Sequence, residues 1–220
     1  KLKKDILEAG AGHCWAEAVD HLCEHGPKLV KDILIDTLNV QFDKQPETNT
    51  LKRVSEGAHS DARVIYHQDK TGQSIHAAAL NYLNTLDNVK ILTGHTAIDL
   101  LTFSHHSAES RDIYKKPACF GAMVLNNKTN DVIPLFASKT ILATGGLGQL
   151  FLHTTNPKEA TGDGVAMAWR AGARCFNLHY VQFHPTALYH PTGRFLISEA
   201  LRGEGGKLLD GQGHEFMTSY

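Results

Sequence analysis

Apolar residues between Lys3 and Leu38 recur at helical intervals: Ile6 and Leu7, then Ala18, Val19, Leu22 and Cys23, then Leu29, Val30, Ile33 and Leu34. This pattern predicts two or three helices, broken near Gly10–Gly12 and near Gly26–Pro27, where glycine and proline disfavour a continuous helix. From Val40 to Tyr66 the pattern is irregular, with Phe42 and Val54 in short extended pieces around a polar loop, Asp43–Asn49. Asp69–Gly72 predicts a turn, Ile75–Leu86 a helix, Val89–Leu92 a short strand and Ala97–Phe103 a further extended run. His105–Lys116 is polar and predicts a solvated loop. Cys119–Asn126 and Asp131–Phe136 predict two strands, joined by Asn127–Asn130, which has the turn chemistry of a hairpin.

Thr140–Ala143 predicts a short apolar strand that runs straight into Thr144, Gly145 and Gly146. Glycines at the end of a strand let the backbone approach a ligand with no Cβ in the way. Further on, Thr161-Gly162-Asp163-Gly164 precedes Val165–Ala173, a helix whose Val165, Ala166, Ala168 and Trp169 suit a face packed on a sheet. Asp163 stands where an N-cap or a ligand-facing acid would. Helices alternating with strands give an α/β class.

Composition removes several functions. The 220 residues are 42% hydrophobic and 20% charged, enough to bury a sizeable core. With 22 Lys+Arg against 23 Asp+Glu there is no bulk field to favour nucleic acid or an anionic membrane, so neither is an expected partner. The apolar runs fall short of the roughly 20 residues of a membrane span. Lys1–Glu8 is charged and amphipathic, unlike a signal peptide. Four scattered cysteines without a C-x-x-C read as reduced core residues, which favours a cytoplasmic setting. The 14 histidines call for a metal test, and it fails on spacing: His21 and His25 lie four apart on a predicted helix but lack a second ligand pair, and His105-His106 falls in the polar loop. No metal is expected.

A complete G-x-G-x-x-G is absent, since Gly10-Ala-Gly12 has Trp15 at the third glycine position and Gly162-Asp-Gly164 has Met167 there. The densest chemistry lies in Gln182-Phe-His184-Pro-Thr-Ala-Leu-Tyr-His190-Pro and in Leu196-Ile-Ser198-Glu199-Ala-Leu-Arg202-Gly-Glu204-Gly-Gly206. Prolines after His184 and His190 hold the residues before them extended, so these imidazoles are presented from fixed loops. On residue chemistry alone, a structural network and an active site both remain open.

Five ordered motifs decide between them: Thr140-Ile-Leu-Ala-Thr-Gly-Gly146, Thr154-Thr-Asn-Pro157, Thr161-Gly-Asp-Gly164 with its helix to Ala173, Gln182-Phe-His-Pro-Thr186, and Ser198-Glu-Ala-Leu-Arg-Gly-Glu-Gly-Gly206. Together they resemble the fumarate reductase/succinate dehydrogenase flavoprotein family over nearly the whole chain, most loosely at Asp43–Lys52 and Phe103–Lys116. Glu56-Gly-Ala-His-Ser60 and Ala187-Leu-Tyr-His-Pro191 are similar to the branch of that family that oxidises an amino dicarboxylate. The resemblance implies part of a Rossmann-like FAD-binding domain over residues 1–177, with a mixed sheet and a β-hairpin. The beginning of an α+β capping domain would follow over 178–220. The family's first βαβ unit would precede Lys1 and its proton-transferring arginine would follow Tyr220, so no catalytic residue is expected within the chain.

For the site, the resemblance implies noncovalent FAD against Ala97, Ile98, Thr144, Gly145, Gly146 and Asp163. Substrate would meet Glu56, His184, Ser198 and Glu199. His184 would bind a carboxylate either as imidazolium or as a neutral N–H donor, its bland alternative being a hydrogen bond within the core. Ser198 replaces the family's Thr, keeping the hydroxyl but losing the methyl that limits its rotamers. Glu199 beside a dianion requires protonation or a partner. Glu56 would face the substrate ammonium, with a solvated loop carboxylate as its alternative, and Arg202 would pair with an acid such as Glu204. The implied reaction is oxidation of L-aspartate to iminoaspartate by hydride transfer to the flavin, with oxygen or fumarate as acceptor. It is the first step of NAD biosynthesis and would supply quinolinate synthase. Two other readings stand beside it: a fumarate reductase or succinate dehydrogenase flavoprotein subunit, and a catalytically inert fragment.

Overall fold

The computed structural model describes residues 1–184, 186–197, 201 and 205–217. They form two compact units, one of Lys1–Lys90 with the residues from 198 onward, the other of Ile91–Ile197.

In the first unit, α1 (Leu2–Ala9) stops at Gly10, and Ala11 and Gly12 take the left-handed conformation that turns the chain toward α2 (Ala16–Leu29). The predicted break at Gly10–Gly12 is therefore present. The one predicted at Gly26–Pro27 is not, because α2 runs through both residues and continues as the π-helical segment Val30–Thr37. Pro27 cannot donate the N–H that would close on Cys23, and the wider turns that follow let the chain carry on. The third helix, α3 (Thr71–Leu83), begins four residues before the predicted Ile75. Its polar first turn is invisible to an apolar pattern, yet Thr71 Oγ1 there accepts the N–H of His67 at 3.0 Å. Val19, Val40 and Phe42 are the buried hydrophobic residues of this unit.

In the second unit, β1 (His95–Thr102), β2 (Cys119–Asn126) and β3 (Val132–Phe136) form an antiparallel sheet in the order β1-β2-β3. The β2–β3 hairpin follows the prediction. Its turn is fixed by Asn126 Oδ1, which accepts the N–H groups of Lys128 and Thr129, and by Asn130 at positive φ. Leu100, Leu101 and Val124 are buried on this sheet, and Met167 of α5 (Asp163–Arg170) is 2% exposed. β4 (Ala187–His190) and β5 (Gly193–Leu196) make a second, two-stranded antiparallel ladder.

Three expectations need correction. Val89–Leu92 and Thr140–Ala143 belong to no ladder among the described residues, and Ile141 is 90% exposed. An apolar run becomes a strand only where a neighbour takes its N–H and C=O groups. His105–Lys116 is not simply a solvated loop: α4 (Phe103–His106) and a 3-10 turn, Ser110–Tyr114, lie within or next to it and bury Asp112, which pairs with Lys115 at 2.7 Å and accepts the Ser107 hydroxyl at 2.7 Å. Nor does Trp169 pack on the sheet. It is 69% exposed, and Gly164 and Met167 form the buried face of α5.

These buried acids make the fold sensitive to low pH. Hydrogen bonds from Lys115 and Ser107 hold the Asp112 carboxyl below its ordinary value, and those from Ser60 and Arg63 do the same more strongly for Asp5. Because both native values lie below that of an unfolded aspartate, about 3.9, their stabilisation is complete above about pH 4 and is lost as pH falls through the native values. The urea midpoint should therefore drop between pH 6 and pH 3. Asp112→Asn should lower the midpoint at pH 6 and shrink that drop, as followed by circular dichroism.

Candidate cofactor and substrate site

Helix α5 begins at a glycine. Gly162, its N-cap, is left-handed (φ 81°) and donates its N–H to Gly146 O at 3.2 Å, which ties the Thr144–Gly146 turn to the helix start. Gly164 faces Thr144 so closely that a Cβ there would lie 1.9 Å from Thr144 Oγ1. On the other side of the turn, Gly145 (φ 77°) faces open space, with nothing within 4 Å of where a Cβ would stand. The result is an exposed shelf of backbone beside the positive end of a helix. Asp163 is the first residue of α5 rather than its N-cap, and its carboxylate accepts the Thr161 hydroxyl at 2.7 Å. It remains exposed at the rim of the shelf.

The far end of α5 holds β1. Arg170 donates from Nη2 to Ile98 O at 2.8 Å and from Nε to Asp99 Oδ1 at 3.4 Å. That carbonyl is free to accept because the β1–β2 register slips between Ala97 and Asp99. One helix thus meets Ile98 of β1 at its far end and the Thr144–Gly146 turn at its start, with Asp163 as its own first residue; Ala97 precedes Ile98 on β1.

His184 lies in the same unit, half-buried, in the wall of a cavity of about 110 Å³. Its Nδ1 is 3.2 Å from the Thr186 N–H and 2.9 Å from Thr186 O, so the ring is fixed by its own loop in either tautomer. Thr154, Thr155 and Asn156 share the wall, with His153 and Arg194. Arg194 stacks on Tyr189 with its guanidinium carbon 3.5 Å from the ring centroid, and its Nη2 donates to His153 Nδ1 at 3.1 Å. Among the described residues no carboxylate lies within ion-pair distance of Arg194, and none lines the cavity. Hydroxyl, amide, imidazole and guanidinium groups without an acid suit a small carboxylate.

Sequence reading did not single out His153 and Arg194. They are 41 residues apart, and their signals were local: the residue before Thr154-Thr-Asn, and an arginine in the Gly193-Arg-Phe start of β5.

Glu56 belongs to the other unit. It is exposed, in a turn where its N–H donates to His59 Nδ1 at 3.3 Å and its carbonyl accepts the His59 N–H at 3.1 Å. In this chain Glu56 therefore stands as an exposed loop carboxylate. Ser198, Glu199, Arg202 and Glu204 lie outside the described residues. His21 and His25 lie one turn apart on α2 with ring centroids 4.4 Å apart and planes tilted by 55°, and among the described residues no group of three potential ligands gathers around a metal position.

Residues 2–220 match the family described as FAD binding domain, and the chain belongs to it. The chain is 41% identical over 217 residues to L-aspartate oxidase 1 of Ralstonia nicotianae and 42% identical over 224 residues to the L-aspartate oxidase of Halobacterium salinarum. Those alignments take in 98% and 100% of this chain but 39% and 41% of the relatives, so it spans about two fifths of their length. Among solved structures, a variant of the E. coli quinol fumarate reductase flavoprotein superposes over the whole chain and 34% of its own, with a TM-score of 0.83 at 22% identity. The open form of a flavocytochrome c3 fumarate reductase covers 99% of this chain and 38% of its own, with a TM-score of 0.68 at 21% identity. The fold is that of the fumarate reductase flavoproteins.

FAD is the cofactor of this family, and the shelf fits it: the side-chain-free turn at Gly145 and Gly146 offers backbone to a ligand beside a helix N-terminus. The approach of Gly164 to Thr144 sets that shelf, so Gly164→Ala should push the turn out and weaken FAD at least tenfold, read from flavin fluorescence on dilution of the natural full-length protein. Gly72→Ala, in α3 with open space at its Cβ, should leave FAD retention unchanged.

Proposed function

We propose that the protein carrying this chain oxidises L-aspartate to iminoaspartate. The observation that carries this reading is the cavity at His184, in the same unit as the glycine shelf, whose described polar lining residues are hydroxyl, amide, imidazole and guanidinium donors with no acid among them. Identity of 41% and 42% to proteins named L-aspartate oxidase supports it. When bound, FAD supplies the acceptor for the hydride leaving the substrate α-carbon.

The residues of this chain bind and orient. His184 donates an N–H to one substrate carboxylate, while Thr154, Thr155 and Asn156 offer further donors to the same group. Arg194, which has no carboxylate within ion-pair distance among the described residues, adds a positive charge and holds His153 in the tautomer that leaves Nδ1 as acceptor. Ser198 supplies a hydroxyl and Glu199 a carboxyl to the second carboxylate of the substrate. Glu56 takes the substrate ammonium, which distinguishes aspartate from succinate by one ion pair. Thr144, Gly145, Gly146, Asp163, Ala97 and Ile98 hold FAD noncovalently. Oxygen or fumarate takes the electrons away, and the product enters NAD biosynthesis through quinolinate synthase in the cytoplasm. The division at 177/178 into FAD-binding and capping domains belongs to the same reading. Among the described residues no helix is long and apolar enough to cross a membrane.

Anaerobic titration of the flavin-loaded natural protein tests the assignment. L-aspartate should bleach the visible flavin absorbance and succinate should not; bleaching by succinate alone would replace this reading with a succinate dehydrogenase or fumarate reductase. Glu56→Gln should weaken aspartate binding about tenfold or more, since a hydrogen bond to a charged group contributes about 1.5–3 kcal/mol.

A further inference from the structure

The buried ties between the Glu56 loop and the rest of its unit converge on one carboxylate oxygen. Residues 54 to 64 form a loop closed at its base by the antiparallel bridge Val54↔Val64, with N···O distances of 3.0 and 3.1 Å. At the tip, Glu56 and His59 close a turn on each other and Ala58 sits at φ 63°. Nothing within that turn fixes its direction. One residue further on, the Ser60 N–H and hydroxyl both donate to Asp5 Oδ2, at 2.9 and 3.0 Å. Arg63 Nη2 donates to the same oxygen at 2.5 Å.

Asp5 comes from α1, 55 residues earlier, and its side chain is 8% exposed. The other link from outside the loop, Lys1 to Asp61 at 3.1 Å, is exposed on both sides, and ion pairs of that kind hold little. Glu56 itself has no cation within ion-pair distance among the described residues, so its carboxylate is left for a ligand.

We propose that Asp5 is a positioning residue for substrate recognition: by gathering Ser60 and Arg63 on one oxygen it fixes the Glu56 loop before the substrate ammonium arrives. The inference rests on the reading of Glu56 as the ammonium partner. A loop that is already ordered does not have to lose its conformational freedom when substrate binds. With Asp5 unable to hold it, that loss falls on binding, and ordering one residue costs about 1–2 kcal/mol, near a tenfold change in affinity. The turnover step itself is untouched, because Asp5 meets neither substrate nor flavin in this reading.

The experiment compares Asp5→Asn, Glu56→Gln and the double variant in the natural flavin-loaded protein, with steady-state kinetics on L-aspartate and amide hydrogen exchange of residues 56–60. Asp5→Asn should raise the KM for aspartate about tenfold with kcat within twofold and flavin content unchanged, and should speed exchange at Ser60. In the Glu56→Gln background it should raise KM no further, because a misdirected carboxylate and an absent one are equivalent. If Glu56→Gln weakens aspartate while Asp5→Asn leaves KM unchanged, or if the two effects add, Asp5 is only a structural acid and the proposal is overturned by itself. If Glu56→Gln leaves aspartate binding intact, the reading of Glu56 fails, and the positioning role fails with it. Should Asp5→Asn not fold, Ser60→Ala removes one of the three donors. It should then raise KM about threefold with the same absence of effect in the Glu56→Gln background, and an unchanged KM would overturn the proposal.

Discussion

The second unit depends on residue 164 having no side chain. With Thr144 Oγ1 standing 1.9 Å from where a Cβ would be, α5 and the glycine turn can share that space only as glycine and threonine. From this contact the rest is determined in order. Gly162 caps the helix in the left-handed conformation and reaches Gly146, the helix runs eight residues, and Arg170 at its end takes the Ile98 carbonyl that the β1 irregularity leaves free. Eight residues of α-helix are roughly 12 Å long at 1.5 Å each. The spacing between the glycine shelf and β1 is therefore set by one short rigid rod, which is what a long, extended cofactor requires of its binding surface.

How much of this could be read in the sequence depends on whether the deciding interaction was local. The β2–β3 hairpin was legible because Asn126 and Asn130 settle the turn within five residues. The glycine shelf was legible because a strand-like run, two glycines and Thr-Gly-Asp-Gly mark a close approach with no reference to distant residues. The start of α3 was not, since a polar first turn leaves no apolar signature. Val89–Leu92 and Thr140–Ala143 show the opposite failure. Their composition is that of strands, but pairing is a property of two segments, and only one is present in such a run. Pro27 marks a third kind of limit, because a proline forbids one hydrogen bond without dictating how the chain recovers, and here it recovers by widening into π turns.

The site divides along the same line. Proline after His184 restricted its backbone, so its presentation from a fixed loop could be inferred from neighbours in sequence. Arg194 and His153 could not be joined by any periodicity, being 41 residues apart and brought together by stacking on Tyr189. Glu56 was visible only through resemblance, because nothing in the local pattern of Glu56-Gly-Ala-His-Ser60 marks an acid that meets a ligand. Its loop is tied to α1 through Asp5, a contact between residues 55 and more positions apart that no local pattern encodes.

Asp5 and Glu56 show how environment, and not residue type, assigns the work of an acid. Both are carboxylates of the same unit, in a chain whose charges nearly cancel. One gathers three donors on a single buried oxygen; the other has no cation within ion-pair distance among the described residues. The same separation of charge is seen at His184, where guanidinium, imidazole and hydroxyl groups gather with no acid among the described residues of the wall. A net charge of −1 supplies no bulk field to draw in a long polyanion. It places no limit on a small zwitterion with two carboxylates and one ammonium, because such a ligand meets single side chains within a few ångströms, where the local arrangement outweighs the sum.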